Sequence, residues 1–86
     1  TAAHLNAADQ ELFVVLKALR LQLAQSRSVP PYMIFPDRAL AEMARRRPRT
    51  PGDFAQIHGV GQAKLERFAG PFIREIANFL NDTTNP

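Results

Sequence analysis

The prolines, above all the adjacent pair Pro30-Pro31, constrain this 86-residue chain more than any other feature. A proline has no backbone N–H and pushes the preceding residue towards extended geometry, so it ends or interrupts a helix. Pro30-Pro31, Pro48 and Gly70-Pro71 therefore divide the chain into short segments. We expect the connector over residues 28–35, with the sequence SVPPYMIF, to be extended and rigid. Its last apolar residues are expected to turn back into the core: Met33, Ile34 and Phe35.

Two helices are predicted on either side of this connector. Helical spacing of apolar residues indicates a first helix over about residues 7–25, with Asn6 or Asp9 as its cap. The residues assigned to its inner face are Leu12, Val15, Leu16, Leu19 and Leu23. A second helix is expected from Pro36 or Asp37 to Arg46, because proline suits a first helical turn. Its inner face is assigned to Leu40, Met43 and Ala44.

Three further helices are predicted in the second half. The sequence Thr50-Pro51-Gly52-Asp53 is typical of a helix start, and the helix is expected over about 51–57, followed by the glycine-rich turn IHGVG. A fourth helix ends at Gly70-Pro71, and a fifth begins at Pro71. Since no segment alternates with period two, we predict an all-α fold. This is a compact bundle of five short helices over residues 9–80, with an N-terminal flank at 1–8 and a polar tail at 81–86.

Charge is unevenly spread along the chain. Six arginines lie between residues 27 and 49, where only Asp37 and Glu42 are acidic, and the formal net charge is +3. A local basic zone on a small domain indicates a polyanionic partner, with nucleic acid as the first candidate.

The chain offers little for catalysis or metal binding. It has no cysteine, and His4 and His58 have no acidic partner at ligand spacing. We predict no metal, no cofactor and no catalytic activity in this domain. No apolar run approaches the length of a membrane span, so we also predict no membrane association.

Tyr32 is the sharpest candidate for binding, because it is the single tyrosine and follows two prolines. Single-stranded bases stack on exposed aromatic rings, and a stiff stem would hold the ring in place. Phosphates would then meet nearby cations, for which the candidates are Lys17, Arg20 and Arg27. The alternative is a half-buried ring whose hydroxyl bonds outward, which is common for tyrosine.

Two other stretches are candidates for phosphate contact. The first is the arginine run, defined as Arg45, Arg46, Arg47 and Arg49; its alternative is a solvated helix end that complements the helix dipole. The second is the turn IHGVG followed by Lys64, which is similar to a helix-hairpin-helix module. There the backbone of Gly59, Val60 and Gly61 would approach a phosphate at a helix N-terminus. The alternative is a purely structural turn.

The motifs together resemble one family. Leu12-Phe13, Leu16 and Leu19-Arg20 come first, then VPPYMIF at 29–35, then residues 40–48, and finally IHGVGQAKLERF at 57–68. This order over about residues 9–80 is similar to the HRDC domain, the helicase-and-RNase-D C-terminal module, and most of all to HRDC domains of bacterial RecQ helicases. The connector before VPPY and the arginine run depart from the usual pattern of the family.

The resemblance implies a five-helix bundle without catalytic activity, which binds single-stranded or partly duplex DNA. It would tune the substrate choice of an ATP-dependent helicase in DNA repair or recombination, with Tyr32 on the single-strand surface. Implied partners are DNA and the helicase core or sister domains, with the isolated domain monomeric and the parent protein cytoplasmic at the bacterial nucleoid. Two alternatives stay open: a module that contacts other domains or proteins, and an RNA-binding module of a ribonuclease D-like exonuclease.

Overall fold

The computed structural model describes residues 5–84, with side chains described for residues 5–81. Helix α1 spans Ala7–Arg27, α2 spans Asp37–Arg46, α3 spans Pro51–Ala55 and α4 spans Gln62–Thr84, and a short 3-10 turn at Pro31–Met33 lies between α1 and α2. No strand occurs within residues 5–84, so the all-α prediction is confirmed. The start of the predicted N-terminal flank, including His4, and the last two residues of the predicted tail lie outside the described residues.

Local hydrogen bonds, from a side chain at the start and from the backbone at the end, fix the bounds of α1. The Asn6 Oδ1 atom accepts a hydrogen bond from the Asp9 N–H at 2.8 Å, so Asn6 is the cap and Asp9 lies inside the first turn. At the other end Ser28 adopts the left-handed conformation (φ 57°), and the Val29 N–H donates to the Ala24 carbonyl at 3.0 Å. The helix therefore stops two residues before the proline pair.

The connector after α1 was expected to be extended, but only part of it is. Pro30 is extended, but the next three residues form the 3-10 turn, closed by N–H bonds from Met33 to the Pro30 carbonyl and from Ile34 to the Pro31 carbonyl. Proline suits this place because its fixed φ matches the first residue of a helical turn, where no N–H is needed. Ile34 and Phe35 are buried as predicted, whereas Met33 points outward and is 51% exposed.

The caps of α2 and α3 agree with the sequence patterns. Helix α2 begins at Asp37 directly after Pro36 and ends at Arg46, and the next residue, Arg47, adopts the left-handed conformation with φ 51°. The Thr50 hydroxyl oxygen accepts from the Asp53 N–H at 3.1 Å and so caps α3. Helix α3 ends at Ala55, two residues earlier than expected, and Ile57 after it is buried.

The predicted break at Gly70-Pro71 is wrong. Helix α4 continues through Pro71 as one element of 23 residues, so the described chain has four α-helices and the 3-10 turn instead of five α-helices. Pro71 cannot donate to the Arg67 carbonyl, which is the single helical bond lost. Apolar residues before and after it, among them Phe68, Phe72 and Ile76, are buried on one face. Their packing on the rest of the core outweighs the missing bond.

Phe35 connects the connector to the second half of the molecule. Its ring makes edge-on contacts with Phe54 of α3 and with Phe68 and Phe72 of α4, at centroid distances of 5.9, 5.9 and 5.4 Å. Such pairs contribute about 0.5–1.5 kcal/mol each beyond the burial of their area. Phe35, which lies two residues after the 3-10 turn, is therefore held by α3 and α4.

Candidate nucleic-acid interface

The 3-10 turn presents two large side chains to solvent. Tyr32 is 67% exposed and Met33 is 51% exposed, while Ile34 and Phe35 directly after them are buried. The two residues after the turn, Ile34 and Phe35, tie it to the core, so the tyrosine ring projects from an anchored backbone. An exposed aromatic ring on a rigid stem is the arrangement that a base-stacking platform requires.

A groove runs beside this turn, between the end of α1 and the first turns of α4. It encloses about 240 Å³. Its floor is apolar and its rim is cationic; the lining residues are Arg27, Val29, Met33, Ile34, Ala63, Lys64, Arg67 and Phe68. We call this groove, together with the adjacent Tyr32, the basic groove.

Two of the three cations of the basic groove lie against aromatic rings, and none of the three has a carboxylate partner among the described side chains. The Arg27 guanidinium lies 4.9 Å from the Phe68 ring centroid, and the Lys64 ammonium lies 5.5 Å from that of Phe35. Among the described side chains, none of Arg27, Lys64 and Arg67 pairs with a carboxylate. Their charge is therefore available to a phosphate.

Arg20 and Lys17 lie apart from the basic groove. The Arg20 side chain is only 11% exposed; its Nη1 donates to the Phe35 carbonyl at 2.9 Å and forms an ion pair with Asp37 Oδ1 at 2.7 Å. Lys17 is exposed, with its ammonium 5.1 Å from the Phe13 ring centroid. It precedes Arg27 by ten residues on α1, which is about 15 Å along the helix axis.

Two members of the arginine run are engaged within the molecule. Arg46 Nη1 pairs with Glu42 Oε2 at 2.8 Å, and Arg47 Nη2 pairs with Asp9 Oδ1 at 3.1 Å. Arg47 thereby ties the end of α2 to the start of α1. Arg45 and Arg49 are exposed and have no carboxylate partner within residues 5–81.

A carboxylate of the protein itself already contacts the glycine turn between α3 and α4. Glu42 Oε1 accepts from the His58 N–H at 3.2 Å, and the Val60 N–H donates to the Ile57 carbonyl at 3.2 Å. Gly59 has a φ of 91°, which explains a glycine there, and both Gly59 and Gly61 are exposed. The His58 N–H of the turn is therefore taken by a carboxylate of α2.

Two residues of the basic groove were missing from the candidates drawn from the sequence. Arg67 was counted only as part of a motif, and Met33 was assigned to the core. The spacing of Lys64 and Arg67 could have revealed Arg67, because residues three apart lie on the same face of a helix. The exposure of Met33 depends on how the 3-10 turn sits on the core, which no local pattern specifies.

Two further properties bear on function. No group of three or more His, Cys, Asp or Glu side chains that could hold a metal ion occurs in the part of the chain described. No helix of residues 5–84 is long and apolar enough to cross a membrane.

Comparison with known proteins agrees with this architecture. The chain is 46% identical over 65 residues to the ATP-dependent DNA helicase RecQ of Haemophilus influenzae, and 44% identical over 68 residues to that of Pasteurella multocida. RecQ of Bacillus subtilis is 32% identical over 75 residues. These alignments cover 76%, 79% and 87% of this chain but only 10%, 11% and 13% of the relatives, so the chain spans about a tenth of their length.

A family comparison gives the same assignment. Residues 9–76 match the HRDC domain, which is most of the chain. The match includes the 3-10 turn with Tyr32, the arginine run and the glycine turn. The chain belongs to the HRDC domain family.

Proposed function

We propose that this chain is a non-catalytic, single-strand DNA-binding domain of a RecQ-like ATP-dependent DNA helicase, and that it binds DNA at the basic groove. The observation that carries the proposal is the exposed Tyr32, whose chain neighbour Met33 lines a groove with three cations that have no carboxylate partners among the described side chains. The names of its relatives support the helicase assignment.

The basic groove suits a single strand because it combines stacking with charge. A base can stack on the Tyr32 ring, which contributes about 1–3 kcal/mol and tolerates any sequence. Arg27, Lys64 and Arg67 can meet the phosphates on either side of that base. Three phosphate contacts would give a log–log salt slope near −2, since each contributes about −0.7 on single strands. Binding by the domain alone is therefore weak and sensitive to salt.

In the longer protein this domain would hold the strand near the helicase core and bias the core towards particular DNA structures. Its partners are then DNA and the core or sister domains of the same chain, and the domain acts as a monomer. We place the protein at the nucleoid in the bacterial cytoplasm, where a repair or recombination helicase meets its substrate.

The test is an amide-shift NMR titration of the 86-residue chain with a short poly-dT strand at low salt. Wild type is compared with Tyr32→Ala and with Tyr32→Phe, which keeps a ring. We expect shifts around residues 27–34 and 63–68, lost in Tyr32→Ala and retained in Tyr32→Phe. A parallel titration with poly-U separates DNA from RNA as the preferred strand. If near-millimolar poly-dT shifts nothing, the domain does not bind single strands at this site.

One observation favours a second candidate, a module that contacts the helicase core. Helix α1 exposes Val14 and Leu21, and Leu21 lines a shallow depression of about 450 Å³ against Glu75 of α4. Such apolar exposure is typical of a surface that contacts another domain. On this alternative, Leu21→Ser would leave poly-dT binding unchanged and impair unwinding by the whole helicase.

A further inference from the structure

The connector that carries Tyr32 forms an arch whose two ends are both bonded to one face of α1. At its first end the Val29 N–H donates to the Ala24 carbonyl at 3.0 Å. At its second end the Phe35 carbonyl accepts from Arg20 Nη1 at 2.9 Å. Arg20 and Ala24 are four residues apart, so they are neighbours on the helix surface. Tyr32 lies midway between Val29 and Phe35, at the apex of the arch.

Arg20 also ties the arch to the start of α2. The same Nη1 atom also forms an ion pair with Asp37 Oδ1 at 2.7 Å, beside its hydrogen bond to the Phe35 carbonyl. Asp37 is the first residue of α2 and its side chain is 67% exposed. One guanidinium nitrogen thus joins the middle of α1, the end of the arch and the beginning of the next helix. Its Nε atom is buried without a partner.

We propose that Arg20 is a positioning residue, which holds the Tyr32 arch in the conformation that presents the ring to a base. This rests on the proposed function for its consequence in binding, but the restraint on the ring is a property of the protein without DNA. The alternative is a direct phosphate contact by Arg20. The low exposure of its side chain and the two oxygens that already contact Nη1 argue against that role, because a phosphate at Nη1 would compete with the Phe35 carbonyl and the Asp37 carboxylate.

The chain provides its own probe for the restraint. Tyr32 is the single tyrosine and there is no tryptophan, so the intrinsic fluorescence comes from the ring in question. We would measure the time-resolved fluorescence anisotropy of wild type, Arg20→Met and Lys17→Met without DNA. Arg20→Met keeps an apolar stem but removes the donors. Lys17→Met removes a neighbouring exposed cation on the same helix and is the matched control.

We expect the amplitude of fast ring motion to rise clearly in Arg20→Met and to stay at the wild-type value in Lys17→Met. Thermal unfolding of each variant shows whether it is folded. If Arg20→Met does not fold, Asp37→Ala replaces it, since that side chain is largely exposed and its loss removes one of the two acceptors. Asp37→Ala should raise the same amplitude by a smaller amount. Unchanged ring motion in the folded variants would overturn the proposal.

Binding to fluorescein-labelled poly-dT distinguishes positioning from phosphate contact. As a positioning residue, Arg20→Met weakens binding about three- to tenfold, a change within the range of one typical intramolecular hydrogen bond. Its log–log salt slope stays at the wild-type value. The loss disappears in the Tyr32→Ala background, because coupled residues give non-additive changes. A slope that flattens by about 0.7, with a loss that persists in that background, would assign Arg20 to a phosphate and overturn the proposal.

The two proposals fail in different ways. If Tyr32→Ala binds poly-dT as tightly as wild type, the proposed function is wrong, whereas the anisotropy result still decides the restraint by Arg20. If Tyr32→Ala weakens binding and Arg20→Met changes neither ring motion nor affinity, only the positioning role is wrong.

Discussion

The arginine run and the basic groove are both cationic, but they differ in what their charges already contact. The run is dense in the sequence, with four arginines within residues 45–49, yet Arg46 and Arg47 are paired with Glu42 and Asp9. The cations of the basic groove come from positions 27, 64 and 67 and meet only in the folded chain, without carboxylate partners among the described residues. Charge density along a chain is therefore a poor measure of the charge that a ligand would meet.

The difference has a physical basis in counterion release. A cation that neutralises a phosphate releases a bound counterion, and this release drives most of the binding. An arginine already neutralised by a carboxylate must first give up that partner, so its net gain is small. The basic groove adds an aromatic surface that the arginine run lacks.

The largest expected effect is at the aromatic surface. Tyr32→Ala should weaken poly-dT binding by about 5- to 150-fold, which corresponds to the loss of one stacked base. Anisotropy of a labelled strand measures this change, and Tyr32→Phe serves as the control that retains the ring. A loss of equal size in Tyr32→Phe would mean that the hydroxyl, and not stacking, matters.

The next effect concerns the salt dependence of binding. Changing Arg27, Lys64 and Arg67 together to Gln should flatten the log–log salt slope by about 2, because three phosphate contacts are lost. The matched variant changes Arg46 and Arg47 to Gln and should alter the slope by less than about 0.5. Measuring the binding constant from low to moderate salt gives both slopes. Equal flattening in the two variants would remove the distinction between the two regions.

A smaller effect is expected when the ion pair of the arginine run is broken. Asp9→Asn should lower the free energy of unfolding by about 0.5–1 kcal/mol, since the pair is only partly buried. It should also steepen the salt slope by up to about 0.7, because Arg47 becomes available to a phosphate. Urea unfolding and the salt series measure the two changes. A steeper slope would show that pairing alone keeps Arg47 from DNA.

The smallest effect is at Glu42, which pairs with Arg46 one helical turn away. Glu42→Gln keeps an acceptor for the His58 N–H and should cost only about 0.3–0.5 kcal/mol of stability, typical of such pairs. The control is Glu11→Gln on the exposed side of α1, which should change nothing measurable. A loss above about 1.5 kcal/mol would mean that the glycine turn depends on the charge of Glu42.

Much of the fold follows from local patterns, and the exceptions are instructive. The caps at Asn6 and Thr50 and the start of α2 after Pro36 were predictable, because each depends on neighbouring residues. The break at Pro71 was predicted wrongly because the local rule that proline ends a helix also applies to this residue. In the structure, buried residues on both sides of Pro71 hold α4 together. The 3-10 turn was missed because two prolines are compatible with both an extended chain and the first turn of a helix.

In the candidate site, too, some features follow from local sequence patterns and others depend on distant residues. Tyr32 and Arg27 are exposed and Lys64 is partly exposed, in agreement with the role that the sequence suggested for them. Their contact with DNA stays a prediction. The burial of Arg20 and the pairing of Arg47 could not be foreseen, because their partners come from other segments of the chain. The pair of Arg46 with Glu42 is local, since the two residues are four apart on α2, a spacing that favours an ion pair. Arg20 and Asp37 are 17 positions apart, and Arg47 and Asp9 are 38 apart.

The position of Phe35 determines how the binding of a strand at Tyr32 would affect the other helices. Its ring contacts α3 and α4, and its carbonyl is bonded to α1, so the Tyr32 turn cannot open without loosening these helices. A ligand that stabilises the turn should therefore suppress transient opening of the whole bundle. Amide hydrogen exchange should slow in α3 and in the middle of α4 when a strand binds. Hydrogen exchange around the aromatic core would then show whether a strand occupies the surface at Tyr32.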